Sequence, residues 1–99
     1  YLLTGDMNCA PNSAPYSVLL EGSEDARYAS AVTVSGAQGT LHKFLKTPGS
    51  GIIDYIIVRA DSAFFSKFQV VTTEYPTRRH KNILPSDHYA IYADLTILP

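Results

Sequence analysis

The sequence of 99 residues contains 45% hydrophobic and 17% charged residues and has a formal net charge of −1. This composition excludes an intrinsically disordered chain, the length allows at most one domain, and the charge excludes a global basic field that would attract nucleic acid. The single cysteine excludes an internal disulfide and a multi-cysteine zinc site, and no apolar run approaches the roughly 20 residues of a transmembrane segment.

The first predicted element is a short strand at residues 1–4, a hydrophobic run that stops at the turn-forming pair Gly5-Asp6. We predict that this strand is buried. Because domains usually begin with polar residues, a buried strand at this point indicates that the chain starts in the middle of a domain. The alternative is a small domain that places its first strand at a sheet edge.

Two short helices are predicted next, after a loop at residues 8–15. Ser13 is a suitable N-cap with Pro15 in the first turn, and Gly22 is suited to end this helix. Its predicted apolar face consists of Tyr16, Val18, Leu19 and Leu20. Residues 24–31 have a weak helical periodicity, which predicts a second short helical turn.

The rest of the sequence is typical of β-structure. Residues 40–45 alternate in hydrophobicity, and residues 52–58 form a nearly continuous β-branched and aromatic run, which is typical of a strand buried on both faces. Two further strands are predicted at 64–73 and 89–98, separated by a long polar connection at 75–86. The predicted class is therefore α/β (α+β), mostly β with one or two short helices.

Acidic side chains occur at three places where a hydrophobic strand begins, ends or continues. They are Asp6 with Asn8, Asp54 within a β-branched run, and Asp87 with His88. A carboxylate buried in such a strand costs several kcal/mol unless it has a partner. Each place alone has an ordinary explanation: turn chemistry for the first pair, bonds from the backbone or tyrosine hydroxyls for the middle acid, and a cap or loop for the last pair.

Together, and in this order, these residues supply the parts that phosphodiester hydrolysis requires. A carboxylate and an amide at the end of a strand can contact a phosphate or the water that attacks it. An Asp-His dipeptide offers an oxygen for a metal ion and an imidazole, and a further Asp can fix the tautomer and orientation of that imidazole. The reaction needs charge stabilisation at the phosphoryl oxygens, a metal ion and a means of deprotonating water.

Four sequence motifs resemble the signatures of the DNase I-like endonuclease/exonuclease/phosphatase superfamily. Leu-Leu-Thr-Gly-Asp-Met-Asn at 2–8 resembles its hydrophobic-GD-x-N signature, and Gly-Thr-Leu-His-Lys-Phe at 39–44 resembles its G-T-x-x-x-F segment. Ile-Asp-Tyr-Ile at 53–56 matches the I-D-Y-I strand, and Ser-Asp-His-Tyr at 86–89 matches the terminal S-D-H segment. The motifs occur in the family's order and cover nearly the whole chain, which resembles the C-terminal half of the family domain.

The resemblance implies both a fold and an activity. Residues 1–99 would form the C-terminal half of a single four-layer α/β sandwich of two packed sheets, and the N-terminal half would be absent from this chain. The implied activity is a divalent-metal-dependent phosphoester hydrolase, such as a nuclease or another phosphodiesterase. The implied cofactor is Mg²⁺ or Mn²⁺, metal ions that prefer hard oxygen ligands.

The resemblance also implies a role for each residue that matches a motif. Asp6 would orient or deprotonate the attacking water, and Asn8 would hydrogen-bond the scissile phosphate. Asp87 would lie at the divalent metal. His88 would contact the phosphate or take part in acid/base transfer, and Asp54 would fix its orientation.

Three basic residues carry further predictions. Arg78 and Arg79 lie in the polar connection before the S-D-H segment, which borders the active-site mouth in the family, so we predict that they contact the substrate phosphate. The alternative is an ordinary solvated loop. His42 is a further candidate for phosphate contact, and the alternative for it is a polar strand residue near the rim of the site.

The family pattern also includes an early Asn, a metal-binding Glu and usually a second His, all upstream of the GD-x-N strand, and these have no counterpart here. We therefore expect the missing half, in the same protein or as a second chain, to be a partner. The expected substrate is a phosphoester, either nucleic acid, a phosphorylated small molecule or a lipid head group. The alternative function is a non-catalytic half-domain fragment or a binding module that needs a complementary chain.

Overall fold

The computed structural model describes residues 1–30, 33–36, 39–45, 51–59 and 68–97. The elements in this part of the chain are, in order, β1 (Leu2–Asp6), α1 (Ala14–Leu19), β2 (Ser23–Asp25), α2 (Ala26–Ala29), β3 (Thr33–Gly36), β4 (Asp54–Arg59), β5 (Phe68–Tyr75) and β6 (Tyr92–Ile97). The predicted class, mostly β with short helices, is confirmed. Neither of the described helices has the length and apolar character needed to cross a membrane.

The described strands form two three-stranded sheets. In the first sheet, β4 lies between β1 and β2 and is antiparallel to both. In the second sheet, β5 lies between β3, to which it is parallel, and β6, to which it is antiparallel. The register of β1 and β4 places Asp6 opposite Asp54. A carboxylate from each strand therefore lies at the same end of the first sheet.

Strand β4 is central to packing because both of its faces are buried, as its sequence predicts. Tyr55 and Ile57 pack against α1 on one face. Ile56 and Val58 on the other face pack against Val70 of the second sheet. Burial of each aliphatic side chain contributes about 1.5–3 kcal/mol. The chain thus forms successive layers of helix, first sheet and second sheet, as in part of an α/β sandwich.

The first helix begins and ends largely as predicted. Ser13 is its N-cap and accepts a hydrogen bond from the backbone N–H of Tyr16 at 3.4 Å, with Pro15 in the first turn. Gly22 has the positive φ of +65° that favours glycine after a helix. The predicted apolar face is wrong at Val18, which is 66% exposed. The helix has 6 residues, fewer than two turns, and only part of its surface faces β4.

A buried acid connects the two helices. Asp25 caps α2 by accepting from the backbone N–H of Arg27 at 3.0 Å, and its other carboxylate oxygen accepts from the Tyr16 hydroxyl at 3.1 Å. Burial raises the pKa of Asp25, although both hydrogen bonds act in the opposite direction. Strand β2, which ends at this acid, was not predicted because its 3 residues are too few to show alternation.

The prediction of a buried first strand is wrong. Strand β1 continues through Gly5 to Asp6, and all of its residues are exposed. Leu2 is 51% exposed and Leu3 is 40% exposed. The hydrophobic composition correctly predicts a strand, but β1 lies at the edge of the first sheet, beyond the cover that α1 and the described part of the second sheet provide.

The prediction of a strand at residues 40–45 is also wrong. Only Leu41 forms a β-bridge, to His88, and the chain then turns through positive φ values of 52° at Lys43 and 58° at Phe44. The backbone N–H of Phe44 donates to Nδ1 of His42 at 3.0 Å, which stabilises the turn. This local side-chain hydrogen bond competes with a strand, and hydrophobic alternation does not reveal it.

The bounds of the last two strands differ from the predicted bounds. Strand β5 extends to Tyr75, and the first part of the predicted strand at 64–73 lies outside the described residues. Strand β6 begins at Tyr92, three positions later than the predicted start of 89–98. Residues before Tyr92 instead bond to the Thr40 segment, since Tyr89 donates its backbone N–H to the Thr40 carbonyl at 2.7 Å.

Gly36→Ala should lower the free energy of unfolding by about 1–3 kcal/mol. Gly36 has φ +98°, and a Cβ atom there would overlap the backbone carbonyl of its parallel-strand partner Tyr75. Chemical denaturation measures the change. Gly51→Ala is the matched control, because no atom lies within 4 Å of the Cβ position there. Equal unfolding free energies for the two variants would contradict the close approach of β3 and β5.

Candidate active site

Asp6 is fixed by the turn that follows β1. Its Oδ1 atom accepts a hydrogen bond from the backbone N–H of Asn8 at 2.8 Å. Asn8 has φ 49°, a left-handed conformation that asparagine adopts more readily than most residues. The GD-x-N sequence therefore forms a side-chain turn that uses Oδ1 of Asp6 and leaves Oδ2 for other contacts.

The segment around Thr40 holds the backbone near His88 in place. The backbone N–H groups of His42 and Lys43 both donate to the Asp87 carbonyl, at 2.9 and 3.0 Å. Together with the Leu41–His88 bridge, these bonds fix the entry to the last strand. His88 is thereby placed beside the start of β4.

The central feature of the site is an imidazole between two carboxylates. His88 Nδ1 lies 2.8 Å from Asp54 Oδ2, and His88 Nε2 lies 4.0 Å from Asp6 Oδ2. The Asp54 side chain is 15% exposed, that of His88 25% and that of Asp6 38%. The site is therefore open to solvent at Asp6 and more enclosed at Asp54, where a charge-assisted hydrogen bond is strongest.

These contacts raise the pKa of His88. The hydrogen bond with Asp54 is the largest cause, and the negative charges of Asp54, Asp87 and Asp6 act in the same direction, while partial burial opposes them. Because Nδ1 bonds to a carboxylate, we assign its proton to Nδ1 in the neutral form. Nε2 is then the atom that exchanges a proton.

Thr40 is a positioning residue whose role the sequence analysis did not identify. It is fully buried, and its Oγ1 accepts hydrogen bonds from the backbone N–H groups of Ile53 at 3.0 Å and Asp54 at 3.2 Å. These bonds fix the backbone at the start of β4 and so the position of the carboxylate that contacts His88. The sequence signal for this role is the G-T pair of the G-T-x-x-x-F motif.

The other residues predicted to belong to the site lie outside the Asp6–Asp54–His88 cluster. Asn8 is exposed beside Asp6, and Asp87 is exposed with its side chain outside the Asp6–Asp54–His88 group. Arg78 lines a neighbouring cavity. Arg79 donates a hydrogen bond to the Asn82 carbonyl at 3.5 Å. His42 is buried, at 1% exposure. The structure does not bring His42 to the rim of the site, because its ring packs against Phe44 and Tyr89.

The ligand atoms of the clustered side chains are of the kinds that bind divalent cations. Asp6, Asp54 and His88 each offer a ligand atom, and these atoms lie within 4.8 Å of one another. Mg²⁺ in proteins commonly uses one or two carboxylates and completes its coordination with water and substrate oxygens. Since Nδ1 of His88 is bonded to Asp54, the carboxylates provide the oxygen ligands that such an ion prefers.

The layered sheets and the acid–histidine cluster at the strand ends define the fold class: the chain has part of an endonuclease/exonuclease/phosphatase fold. No family model and no curated protein matches it by sequence. Solved structures do match it. The endonuclease/exonuclease/phosphatase from Bacteroides vulgatus has a TM-score of 0.76 and 28% identity, covering 98% of this chain and 36% of that protein.

Two proteins from Bacteroides thetaiotaomicron have the same fold. An endonuclease/exonuclease/phosphatase family protein matches with a TM-score of 0.74 and 22% identity, over 95% of this chain and 36% of its own. A mannosyl-6-phosphatase matches with a TM-score of 0.77 and 21% identity, over 96% and 37%. The resemblance inferred from the four motifs is confirmed, and the chain spans little more than a third of the structures it matches.

The pKa of His88, measured by NMR titration, should lie above the ordinary value of 6.5. Asp54→Asn should lower it, because the carboxylate stabilises the imidazolium. With a raised folded-state pKa, the ion pair stabilises the fold fully below the unfolded-state pKa, and this contribution is lost as the pH rises through the folded-state value. Asp94→Asn on β6 is the control; the same His88 pKa in both variants would contradict the Asp54 contact.

Thr40→Val should lower the free energy of unfolding by about 1–3 kcal/mol, because two backbone N–H groups lose their acceptor. It should also reduce the rise in the His88 pKa, since Asp54 is less firmly placed. Thr40→Ser keeps the hydroxyl and should restore the pKa. Denaturation and NMR titration test both effects; an unchanged His88 pKa in Thr40→Val would restrict Thr40 to a purely structural role.

Proposed function

We propose that this chain contributes to the active site of a divalent-metal-dependent phosphoester hydrolase. The observation that carries the proposal is the hydrogen bond of His88 to Asp54, with Asp6 on the opposite side of the imidazole. Besides its hydrogen bond to Asp54, the partly exposed His88 side chain presents its second nitrogen, Nε2, toward a second acid, Asp6. That arrangement suits a group that transfers a proton or contacts an anion.

In this proposal Asp54 is a positioning residue. By accepting from Nδ1, it fixes the ring and stabilises the imidazolium, as an acid does for a catalytic histidine. His88 then contacts a phosphoryl oxygen or transfers a proton at Nε2. The 4.0 Å between Nε2 and Asp6 Oδ2 is too long for a direct hydrogen bond, but one oxygen of water or phosphate can contact both atoms.

Asp6 and Asn8 serve the attacking water and the phosphate. Asp6 is the most exposed member of the cluster, so it can orient or deprotonate a water that approaches from solvent. Asn8 lies at the same turn and offers its side-chain amide to a phosphoryl oxygen. Both roles depend on the turn after β1, which holds the two residues together.

A divalent ion, Mg²⁺ or Mn²⁺, would be bound by Asp87, the ligand predicted from the S-D-H motif, together with ligands from the missing half of the domain. When bound, such an ion stabilises charge on phosphoryl oxygens and lowers the pKa of a bound water. The protein's own side chains orient the phosphate and move the proton. Arg78 and Arg79 remain proposed phosphate contacts at the mouth of the site.

We also propose that the complete site includes residues from the missing half of the domain. Residues 1–99 would be the C-terminal half of the domain, and the rest would come from the same protein or a second chain. The apolar side chains of Leu2 and Leu3, exposed on opposite faces of β1, support this view because further layers would cover them. The matched structures, nearly three times longer than their matched part, support it as well.

The proposed substrate is a phosphoester. Different observations support a phosphodiester and a phosphomonoester. The four motifs are shared by nucleases and other phosphodiesterases of the family. One structural neighbour is a mannosyl-6-phosphatase, which supports a phosphomonoester, although its 21% identity establishes only the common fold. The alternative function, a non-catalytic binding module, predicts an intact cluster without turnover.

His88→Ala and Asp6→Ala should each lower kcat by about 10²–10⁴-fold, because each removes a group proposed to act on water or phosphate. Asp54→Asn should cost less, since it disturbs orientation alone. The assay measures hydrolysis of a phosphomonoester and of a phosphodiester, as their p-nitrophenyl esters, by the complete domain with Mg²⁺ or Mn²⁺, and with a chelator as the blank. His80→Ala, on an exposed loop, is the control.

Two outcomes would reject the hydrolase. One is equal and small losses for all the variants, which would contradict the assigned roles. The other is a folded, complete domain that hydrolyses neither a phosphomonoester nor a phosphodiester and shows no rise in melting temperature with Mg²⁺ or Mn²⁺, since a bound ion stabilises the folded state. The binding-module alternative would then be preferred.

A further inference from the structure

His42 contacts the chain on both sides of His88. Its backbone N–H donates to the Asp87 carbonyl at 2.9 Å, and its ring packs against the ring of Tyr89 with 4.5 Å between the centroids. Asp87 and Tyr89 are the two sequence neighbours of His88. Because His42 is buried at 1% exposure, any influence that it has on the site acts through these neighbours and not through contact with substrate.

We propose that His42 is a positioning residue for His88. The inference rests on the proposed hydrolase function and adds to it a residue that does not touch the substrate. The Nδ1 atom of His42 closes the turn at residues 43–44, this turn holds the Asp87 carbonyl, and that carbonyl directly precedes His88.

The turn that follows His42 is strained. Lys43 and Phe44 have successive positive φ values of 52° and 58°, a conformation that residues other than glycine, asparagine and aspartate seldom adopt. The backbone N–H of Phe44 donates to His42 Nδ1 at 3.0 Å, and the backbone N–H of Leu45 donates to the His42 carbonyl at 2.9 Å. These bonds offset the strain, and only the first depends on the side chain at position 42.

Stability alone does not account for a histidine at this buried position. The second ring nitrogen of His42, Nε2, is buried and has no hydrogen-bond partner among the described residues. A buried polar atom without a partner costs free energy, so an apolar ring would fill the same space at a lower cost. Such a ring lacks an acceptor for the Phe44 N–H. Retained strain and unsatisfied polar atoms are typical of functional sites.

The turn is connected to the active site through one carbonyl. The backbone N–H groups of His42 and Lys43 converge on the Asp87 carbonyl, at 2.9 and 3.0 Å. When the turn opens, the Lys43 N–H leaves this carbonyl, and the peptide group between Asp87 and His88 is free to rotate. Such a rotation displaces the imidazole from the carboxylate of Asp54, to which it bonds at 2.8 Å.

The test compares His42→Phe with His42→Asn in the complete domain, with the p-nitrophenyl ester that the wild-type domain hydrolyses. Phenylalanine keeps a ring against Tyr89 and lacks the acceptor, whereas asparagine lacks the ring and accepts from the N–H two residues later. His42→Phe should lower kcat by about 10- to 100-fold and change KM less than about threefold, because a displaced catalytic group mainly slows turnover. His42→Asn should keep kcat within about threefold of wild type.

A purely structural role predicts the opposite order of the two variants. Asparagine leaves a cavity in a buried position, so His42→Asn should be the less stable variant in chemical denaturation. Tyr16→Phe is the control, because it removes a buried hydrogen bond to Asp25 and should lower stability at an unchanged kcat. A wild-type kcat in His42→Phe, or a lower kcat in His42→Asn than in His42→Phe, would overturn the positioning role.

A measurement without turnover separates this role from the hydrolase. In NMR spectra, the imidazole proton on Nδ1 of His88 is protected from exchange with water by its bond to Asp54. His42→Phe should speed the exchange of this proton and of the Lys43 amide by about tenfold or more, and His42→Asn should not. A domain that hydrolyses neither ester but shows these exchange rates would overturn the hydrolase and retain the positioning role. Unchanged exchange in His42→Phe would overturn the positioning role.

Discussion

The hydrogen bond between His88 and Asp54 is the contact on which the organisation of the site depends, because it joins the two sheets. Asp54 begins β4 of the first sheet, and His88 precedes β6 of the second. The Thr40 segment secures both partners, with its hydroxyl on the start of β4 and its backbone on residues 87–89. Packing of β4 on both faces then makes this geometry rigid.

The sequence was sufficient to identify the elements with strong local signals. The continuous β-branched run of β4 and the Ser13 cap of α1 are encoded by residue type alone, and both are found. The family motifs also grouped Asp6, Asp54 and His88, which the structure brings within 4.8 Å. These residues are recognisable because a carboxylate at the end of an apolar strand is unusual without a partner.

The features that the sequence did not predict depend on contacts between distant segments. Exposure of Leu2 and Leu3 depends on which layers cover β1, and the turn at 43–44 depends on a bond to one nitrogen of His42. The position of Thr40 under β4 has no local pattern. The same holds for the cavity, whose walls come from two strands and the connection between them. Periodicity describes one segment at a time and contains no information about such pairings.

The strand pairing also has a consequence for the order in which the protein folds. Asp54 and His88 are 34 residues apart along the chain, and Asp6 is more distant from both. Closing long loops costs chain entropy before the resulting contacts can compensate, so we expect the acid–histidine cluster to form after contacts between segments that are close in sequence. Molecules in which β1 or the segment before β6 is not in place would lack the complete cluster. The titration of His88 thus reports whether the ends of β1 and β4 and the segment before β6 have come together.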